Sequence, residues 1–268
     1  MLQKRLFQIL LSPLSLLYGI GVGLRNLLYR YGWMKSVAFD LPIISVGNLS
    51  VGGAGKTPHI EYLIRLLREY LEVATLSRGY KRKSKGFRLV QVRSTVEEVG
   101  DEPLQFKRKY PDITVSVGES RMLAIPDILS HKPDIQVLLL DDAFQHLAVK
   151  PSLNLLLTEY DQPFTRDYLL PSGRLREWRS AYRRADHIIV TKCPPDLTEE
   201  EAGKMGEELQ PFSWQQLYFS RYEYGAPYYL FNPRYHLNYE EELEVLLISA
   251  IARTRSEERR VGKECPSP

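Results

Sequence analysis

The sequence contains little cysteine and little net charge. Its two cysteines, Cys193 and Cys265, form neither a CxxC pair nor the ligand spacing of a zinc site, which excludes a disulfide scaffold and fits a reducing cytoplasm. The 36 Lys and Arg residues against 33 Asp and Glu leave a net charge of +3, too small to indicate a nucleic-acid partner. The chain has no internal repeat, its 44% hydrophobic content is typical of a globular protein, and nothing in it indicates an obligate protein partner.

The N-terminal segment lacks charge over a long stretch. Residues 6–24 form 19 consecutive uncharged positions, close to the length that spans a bilayer. Polar or small residues recur every three or four positions along the predicted helix, namely Gln8, Ser12, Ser15, Gly19, Gly23, Asn26 and Arg30. This stripe fits a membrane-associated helix that either lies in the interface or spans the bilayer, and basic residues around it (Lys4, Arg5, Arg25, Arg30 and Lys35) favour an anionic membrane surface. Periodicity alone also allows a core helix, whereas no cleavage motif supports a signal peptide.

The middle of the chain alternates between apolar runs and longer helical stretches. The apolar, β-branched runs are Ile43–Val46, Val73–Leu76, Ile113–Val117, Ile135–Leu140, Leu153–Leu157 and His187–Val190. Such runs are typical of strands buried on both faces, so we expect a mostly parallel sheet flanked by helices in an α/β fold. From about Leu217 a tyrosine-rich alternation favours antiparallel strands. We therefore predict an N-terminal membrane-associated segment (1–40), a core that contains this sheet (41–215), the β-rich start of a smaller domain (216–252) and an unmatched tail (253–268).

The most specific motif is SVGGAGKT, directly after the first predicted strand and before a helical stretch. Strand, glycine loop, Lys-Thr and helix is the order of a phosphate-binding P-loop, although a serine occupies the usual first glycine position. The motif indicates that the predicted α/β fold is of the P-loop NTPase type, with residues 41–215 as its P-loop core. We expect backbone N–H groups of the loop to surround phosphate oxygens, Lys56 to reach the β- and γ-phosphates, and Thr57 to ligate Mg²⁺. The predicted nucleotide-binding residues are Ser50, Val51, Gly52, Gly53, Ala54, Gly55, Lys56 and Thr57. The alternative interpretation is a glycine-rich turn without a ligand.

Acidic residues follow the most apolar predicted strand. Asp141 and Asp142 would lie at the carboxyl edge of the sheet beside Thr57, where either could hold Mg²⁺; paired acids at such a place are otherwise often a helix N-cap. His146 fits a structural histidine better than a proton carrier, and its role stays open. The acidic segment EEVGDEP, residues 97–103, favours a solvated loop, although phosphoryl transfer to a hydroxyl needs one further carboxylate.

Two basic groups are typical of a solvated surface but also suit an anionic substrate or lipid surface. The first comprises Arg78, Lys81, Arg82, Lys83, Lys85 and Arg88, and the second comprises Arg166, Arg174, Arg176, Arg179, Arg183 and Arg184.

Six motifs in order resemble one known family. ISVGNLSVGGAGKTP, LSRGYKR, VGDEP, LLLDDAFQH, LLPSGRLREW and the VTK strand end together resemble the lipid A 4'-kinases (tetraacyldisaccharide 4'-kinases) over about residues 1–252, and the serine in the P-loop is the form that this family uses. The resemblance implies a membrane-associated kinase at the cytoplasmic face of the bacterial inner membrane. Such an enzyme moves the γ-phosphoryl group of ATP to the 4'-hydroxyl of an acylated glucosamine disaccharide 1-phosphate.

The same resemblance implies roles for individual residues. It assigns Lys56 and Thr57 to the triphosphate and Mg²⁺, and Asp141 and Asp142 to the metal-binding segment. Asp101 matches a catalytic carboxylate that works with a histidine, with Lys56 as the other catalytic candidate. Glu177 matches a further functional acid, and Arg78 and Arg121 fall in matched segments near the active cleft.

The C-terminal sequence departs from the family pattern. The ending RTRSEERRVGKECPSP lacks the family's histidine-bearing segment, so for the chain as written we expect weak or no kinase turnover. Two other functions therefore stay open: a membrane-associated P-loop ATPase switch, and a catalytically impaired lipid- or nucleotide-binding fragment. A GTPase is disfavoured because TKCP at 191–194 lacks the aspartate of the guanine-reading motif.

Overall fold

The structure, a computed structural model, describes residues 2–223, 228–229 and 232–236, with side chains from Gln8 to Glu223. The chain divides into two compact units at Ser220. The helices of the first unit are α1 (Leu2–Arg30), α2 (Lys56–Leu67), α3 (Val96–Val99), α4 (Asp101–Lys109), α5 (Arg121–His131) and α6 (Glu199–Leu209), with 3₁₀ turns at Phe164–Arg166 and Arg179–Arg184. Its strands are β1 (Ile43–Asn48), β2 (Val73–Ser77), β3 (Arg88–Leu89), β4 (Thr114–Val117), β5 (Val137–Asp141), β6 (Leu153–Glu159), β7 (His187–Thr191) and β8 (Gln216–Phe219).

The eight strands form one sheet in the order β3-β4-β2-β5-β1-β6-β7-β8. Every neighbouring pair is parallel except β3 and β4, which are antiparallel. The predicted α/β architecture with a mostly parallel sheet is thus confirmed, and each of the six predicted strands is present. Because β1 lies near the middle, the loop that follows it opens at the carboxyl edge between β5 and β6, where parallel α/β sheets bind their ligands.

Helices cover both faces of the sheet, which explains the continuous apolar runs. Successive strand residues point to opposite faces: Leu139 packs in the cluster that contains Ile60 of α2 and Phe106 of α4, whereas Leu138 packs with Ile125 of α5. A third cluster places α6 against β6 and β7. Because each strand is buried on both faces, it needs apolar residues at consecutive positions. These continuous apolar runs are why the strands could be predicted from the sequence.

The sheet extends further than predicted. β8 pairs in parallel with β7, so residues 216–219 belong to the large sheet, and the predicted start of a second domain at 216 lies a few residues too early. The first part of the alternation arises because β8 is an edge strand with alternating exposure, and this strand is parallel rather than antiparallel. In the second unit the structure describes one antiparallel pair, β9 (Tyr228–Tyr229) and β10 (Asn232–His236). The predictions for residues 237–252 and 253–268 lie outside the described residues.

The polar stripe of α1 faces the protein from Ser15 to Asn26, whereas Ser12 and Arg30 are exposed. Ser15 Oγ donates to the Leu169 carbonyl at 3.2 Å, and Trp178 Nε1 donates to the Gly19 carbonyl at 2.8 Å. The apolar side chains of the same helix are exposed instead: Ile9, Leu10, Leu14, Leu16, Leu17, Ile20, Leu24 and Leu27. Gln8–Arg30, 23 residues with mean hydropathy 1.2, is long and apolar enough to cross a membrane by length and composition. The alternative of a core helix is not what the structure shows, since α1 buries its polar side.

Candidate active site

The loop after β1 has the backbone of a phosphate-binding turn. Gly52 (φ +129°) and Gly55 (φ +82°) occupy the region that side chains with a Cβ disfavour, and α2 begins immediately afterwards at Lys56. The first N–H groups of a helix have no partner within the helix and carry its positive dipole end. The predicted glycine loop, with its strand and its helix, is therefore present at the carboxyl edge of the sheet, which favours an anion over a turn without a ligand.

Lys56 lies among oxygen acceptors at the end of β1. Its Nζ atom is 3.3 Å from Asn48 Oδ1 and 3.6 Å from Asp142 Oδ1. Asn48 is the last residue of β1 and is buried. The ammonium group of Lys56 therefore lies at the carboxyl edge of the sheet, next to the end of β1.

The two predicted aspartates have opposite electrostatic environments. Asp141 ends β5, lies level with Val46 of β1, and is 2% exposed. Burial, together with the neighbouring carboxylates of Glu102 and Asp142, raises the pKa of Asp141 to about 7. For Asp142 burial acts in the same direction, but the cations Lys56 and Arg176 outweigh it and lower the pKa.

A third carboxylate, Glu102, reaches the end of the P-loop. Thr57 Oγ1 donates to Glu102 Oε1 at 3.0 Å, and burial raises the pKa of Glu102. The solvated loop favoured for residues 97–103 is wrong, because α3 and the first turn of α4 occupy this segment. The signal for a helix start was present in acidic residues followed by Pro103, a proline that the first turn accommodates. Asp101 itself is exposed, and its Oδ1 accepts from the Glu102 backbone N–H at 2.9 Å.

These side chains fit a magnesium ion that phosphate oxygens help to bind. Asp141 Oδ1 is buried without a hydrogen-bond partner among the described residues, an arrangement that a cation would relieve. In the described part of the chain, no group of three or more His, Cys, Asp or Glu is placed to hold a metal alone. Mg²⁺ commonly needs only one or two carboxylates when substrate phosphates complete its shell. Thr57, Asp141 and Asp142 could supply the protein's share.

Residues 167–178, which include the LLPSGRLREW motif, close the site from one side, and we call this segment the strap. The Val51 N–H donates to the Arg174 carbonyl at 2.7 Å, and the Arg176 N–H donates to the Leu49 carbonyl at 2.8 Å. Arg176 Nη1 is 3.0 Å from both carboxylate oxygens of Asp142. Arg176 Nη2 is 3.4 Å from Asn48 Oδ1. In the sequence Arg176 was only one of several basic residues, and no local signal marked it.

Two of the remaining predicted residues sit beside the carboxylates. Arg121, 2% exposed, donates to the carbonyls of Asp141 (3.2 Å) and Gly118 (3.0 Å), and burial lowers its pKa to about 10. The arginine thus fastens the ends of β4 and β5 together. His146 is half-buried, and burial followed by the charge of Arg121 lowers its pKa to about 4, so the imidazole is neutral at pH 7.

The other two lie at the margins of this arrangement. Arg78 follows β2 at the same edge of the sheet and is exposed. Glu177 is 1% exposed and points toward α1 and the second 3₁₀ turn, where it binds Asn26 and Arg184. The structure therefore does not bring Glu177 to the P-loop.

Comparison with known proteins gives consistent matches. A family model described as LpxK, tetraacyldisaccharide-1-P 4'-kinase, matches residues 7–256. The tetraacyldisaccharide 4'-kinase of Parabacteroides distasonis is 48% identical over 265 residues, 96% of this chain and 71% of that protein. The namesake from Porphyromonas gingivalis strain W83 is 50% identical over 217 residues, 80% of this chain and 61% of that protein.

A solved structure agrees with these matches. The crystal structure of LpxK from Aquifex aeolicus in complex with ATP superposes with a TM-score of 0.67 and 38% identity, covering 79% of this chain and 64% of that one. The chain thus spans from 61% to 71% of the length of these relatives. The resemblance drawn from the six motifs is confirmed.

The shifted pKa of Asp141 predicts an unusual pH dependence of stability. Unfolding lowers the pKa from about 7 to 3.8, so the folded state binds the extra proton and the free energy of unfolding falls as pH rises from 4 to 7. Asp141→Asn should remove this slope and be at least as stable as the wild type at pH 8. Urea unfolding followed by circular dichroism, at pH 5 and pH 8 with EDTA, measures both effects.

The matched control is Asp142→Asn, whose carboxylate has a lowered pKa. This variant should lose stability at pH 8, because Lys56 and Arg176 lose their partner. An Asp141→Asn variant clearly less stable than the wild type at pH 8 would contradict the assignment.

Proposed function

The chain belongs to the tetraacyldisaccharide-1-P 4'-kinase family, and on that basis we propose that it transfers the γ-phosphoryl group of ATP to the 4'-hydroxyl of tetraacyldisaccharide 1-phosphate, an acylated glucosamine disaccharide. One observation carries the proposal beyond the family match. Lys56, Thr57 and three carboxylates meet where the P-loop opens at the carboxyl edge of the sheet, and a phosphoryl transfer site needs these groups together.

The residues divide the work of phosphoryl transfer as follows. Backbone N–H groups of residues 52–57 bind the β- and γ-phosphate oxygens, and Lys56 neutralises charge that develops between them. Thr57, Asp142 and the more deeply buried Asp141 are the groups that would hold Mg²⁺. When bound, the ion would act as a Lewis acid that stabilises negative charge on the phosphate oxygens. Arg176 keeps the Asp142 carboxylate in one orientation through two contacts of 3.0 Å.

We propose Asp101 as the carboxylate that orients and deprotonates the acceptor hydroxyl. It directly precedes Glu102, which contacts Thr57, and its own side chain is exposed at the start of α4. An exposed carboxylate beside the phosphate site can reach a substrate hydroxyl that arrives from solvent or from a membrane. Glu102 is half-buried and contacts Thr57, so we assign it to the metal-binding part of the site instead.

We further propose that α1 holds the protein at an anionic membrane, at the cytoplasmic face of the bacterial inner membrane. Its exposed leucines and isoleucines form an apolar surface that water disfavours. Arg30 is exposed at the end of the helix, where it suits anionic headgroups. A lipid substrate would then be delivered to the side of the protein on which α1 lies.

Mass spectrometry of the reaction product tests the activity directly. Protein in detergent micelles with ATP, Mg²⁺ and the tetraacyldisaccharide 1-phosphate should yield a disaccharide with one additional phosphate, at the weak rate that the C-terminal sequence predicts for the chain as written. Lys56→Ala should lower the rate by about 100-fold or more, whereas Lys204→Ala, which removes an exposed lysine of α6, should not. ATP hydrolysis without any phosphorylated lipid would instead support the ATPase alternative.

Substitutions at the adjacent residues Asp101 and Glu102 distinguish the general base from the metal-binding part of the site. Asp101→Asn should lower kcat by about 10²–10⁴-fold and leave ATP affinity nearly unchanged. Glu102→Gln should raise the Mg²⁺ concentration needed for ATP binding, because Glu102 contacts Thr57. Steady-state kinetics and equilibrium nucleotide binding distinguish the two, and a large loss of ATP affinity in Asp101→Asn would move Asp101 to the metal-binding part of the site.

Vesicle sedimentation tests the membrane surface. Replacing Leu17 and Leu24, exposed by 66% and 55%, with glutamine should weaken binding to vesicles containing anionic lipid by about ten-fold per leucine. Leu66→Gln is the control, because Leu66 is similarly exposed (51%) but lies on α2. Equal sedimentation of all variants would place the membrane contact elsewhere.

A further inference from the structure

The strap connects α1 to the P-loop by contacts on both of its sides. Toward the P-loop, Arg176 holds the Leu49 carbonyl and the Asp142 carboxylate. Toward α1, the Arg176 carbonyl accepts from Tyr18 Oη at 2.9 Å. Trp178, two residues on, packs so closely that a Cβ on Gly19 would lie 2.5 Å from its ring. The helix is therefore seated directly on the segment that orients a carboxylate of the candidate active site.

At the centre of this contact lies a buried ion pair completed by α1. Glu177 is 1% exposed, its Oε2 accepts from Asn26 Nδ2 at 2.8 Å, and the same atom forms an ion pair with Arg184 Nη1 at 2.9 Å. Glu177 Oε1 and Asn26 Oδ1 are buried and have no hydrogen-bond partner in the described part of the chain. Because a buried carboxylate is costly unless its partners stay in place, Asn26 helps to fix the position of Glu177.

Glu177 and Arg176 are neighbours that serve opposite sides of the strap. Leu175 forms an isolated antiparallel bridge with Ser50, and in extended backbone successive side chains point in opposite directions. Arg176 thus reaches Asp142 while Glu177 reaches Asn26. A shift of the backbone at Glu177 would therefore also shift the adjacent Arg176.

Arg25, in the same turn of α1 as Asn26, connects the helix to the P-loop by a second route. Arg25 Nη2 donates to the Gln145 carbonyl at 2.6 Å, and Gln145 Nε2 donates to the Asn48 carbonyl at 2.8 Å. Asn48 in turn accepts from Lys56 at 3.3 Å. The side chains of Asn48 and Asp142, which lie near Lys56 Nζ, are therefore both connected to α1. Arg25 is connected to Asn48 through Gln145, and Asn26 is connected to Asp142 through the strap.

We propose that Asn26 is a positioning residue for phosphoryl transfer, which holds Glu177 so that the strap keeps Arg176 on Asp142 and Asn48. The inference rests on the proposed function for its kinetic consequence, but its effect on nucleotide binding does not require a lipid acceptor. It assigns α1 a task separate from membrane attachment, since Asn26 lies on the buried stripe and not on the exposed apolar side.

Two variants of nearly equal size test the contact. Asn26→Leu removes the donor, and Asn26→Asp exchanges it for a carboxyl that can donate only when protonated. Ser12→Ala is the matched control on α1, because the Ser12 hydroxyl donates to the Ile9 carbonyl of its own helix. Asn26→Leu should weaken Mg²⁺-dependent binding of a fluorescent ATP analogue by about ten-fold and lower kcat by about ten-fold, the lower end of the range for residues that contact metal ligands directly, because Asn26 acts on Asp142 through Glu177 and Arg176. Vesicle sedimentation should be unchanged in all three.

The pH profile separates positioning from simple packing. The carboxyl introduced by Asn26→Asp would face Glu177, with Arg184, Arg176, Arg25 and Tyr18 as the other charged or titratable groups around it. Two adjacent carboxyls share one proton, so the introduced group should have a raised pKa. Below that pKa it donates to Glu177, and above it the two charges repel. Nucleotide affinity relative to the wild type should therefore recover as pH falls from about 8 to 6 in Asn26→Asp and stay low in Asn26→Leu.

The outcomes are distinct. Wild-type nucleotide affinity and kcat in Asn26→Leu would overturn the proposal, as would identical pH profiles for the two variants, which would indicate packing alone. If Asn26→Leu fails to fold by circular dichroism, the recovery of Asn26→Asp at low pH still decides the matter. If the wild type makes no phosphorylated disaccharide but nucleotide affinity responds as described, the proposed function fails and the positioning role stands.

Discussion

The site depends on the backbone pairing between the strap and the P-loop. Leu49 and Val51 bond to Arg176 and Arg174, so the loop that would receive phosphates is fixed on one side by β1 and on the other by a segment more than 100 positions away in the sequence. A glycine-rich loop alone is flexible, and ordering it on binding would reduce affinity. The paired backbone, with Arg176 bridging to Asp142, orders the loop before any nucleotide arrives.

The electrostatics of the site follow from the same placement. Three carboxylates and one threonine hydroxyl gather where α2 begins, and burial raises the pKa of two of the carboxylates, Glu102 and Asp141. Such an arrangement is unfavourable without a cation and becomes favourable with one. Asp142 is the exception, because Lys56 and Arg176 already compensate its charge. We infer that this region of the protein is built to receive a phosphate-bound metal ion rather than to be most stable on its own.

Most of the fold was predictable because burial on two faces leaves a local signature. The runs around Val46, Leu76 and Leu140 required no knowledge of distant residues, and the P-loop required only its strand and helix. Contacts between distant segments could not be predicted in this way. Neither the bond from Thr57 to Glu102 nor the clamp of Arg176 on Asp142 has a local pattern. The stripe on α1 was visible, but only the structure shows that its polar side packs on the strap and its apolar side is exposed.

Hydrogen–deuterium exchange with and without ATP and Mg²⁺ tests the central claim most directly, because it reports on the backbone amides themselves. The account predicts slower exchange in residues 50–57 and, through the strap, in residues 174–178, with a smaller effect when Mg²⁺ is omitted. Unchanged exchange in residues 50–57, with protection appearing elsewhere in the sheet, would contradict it.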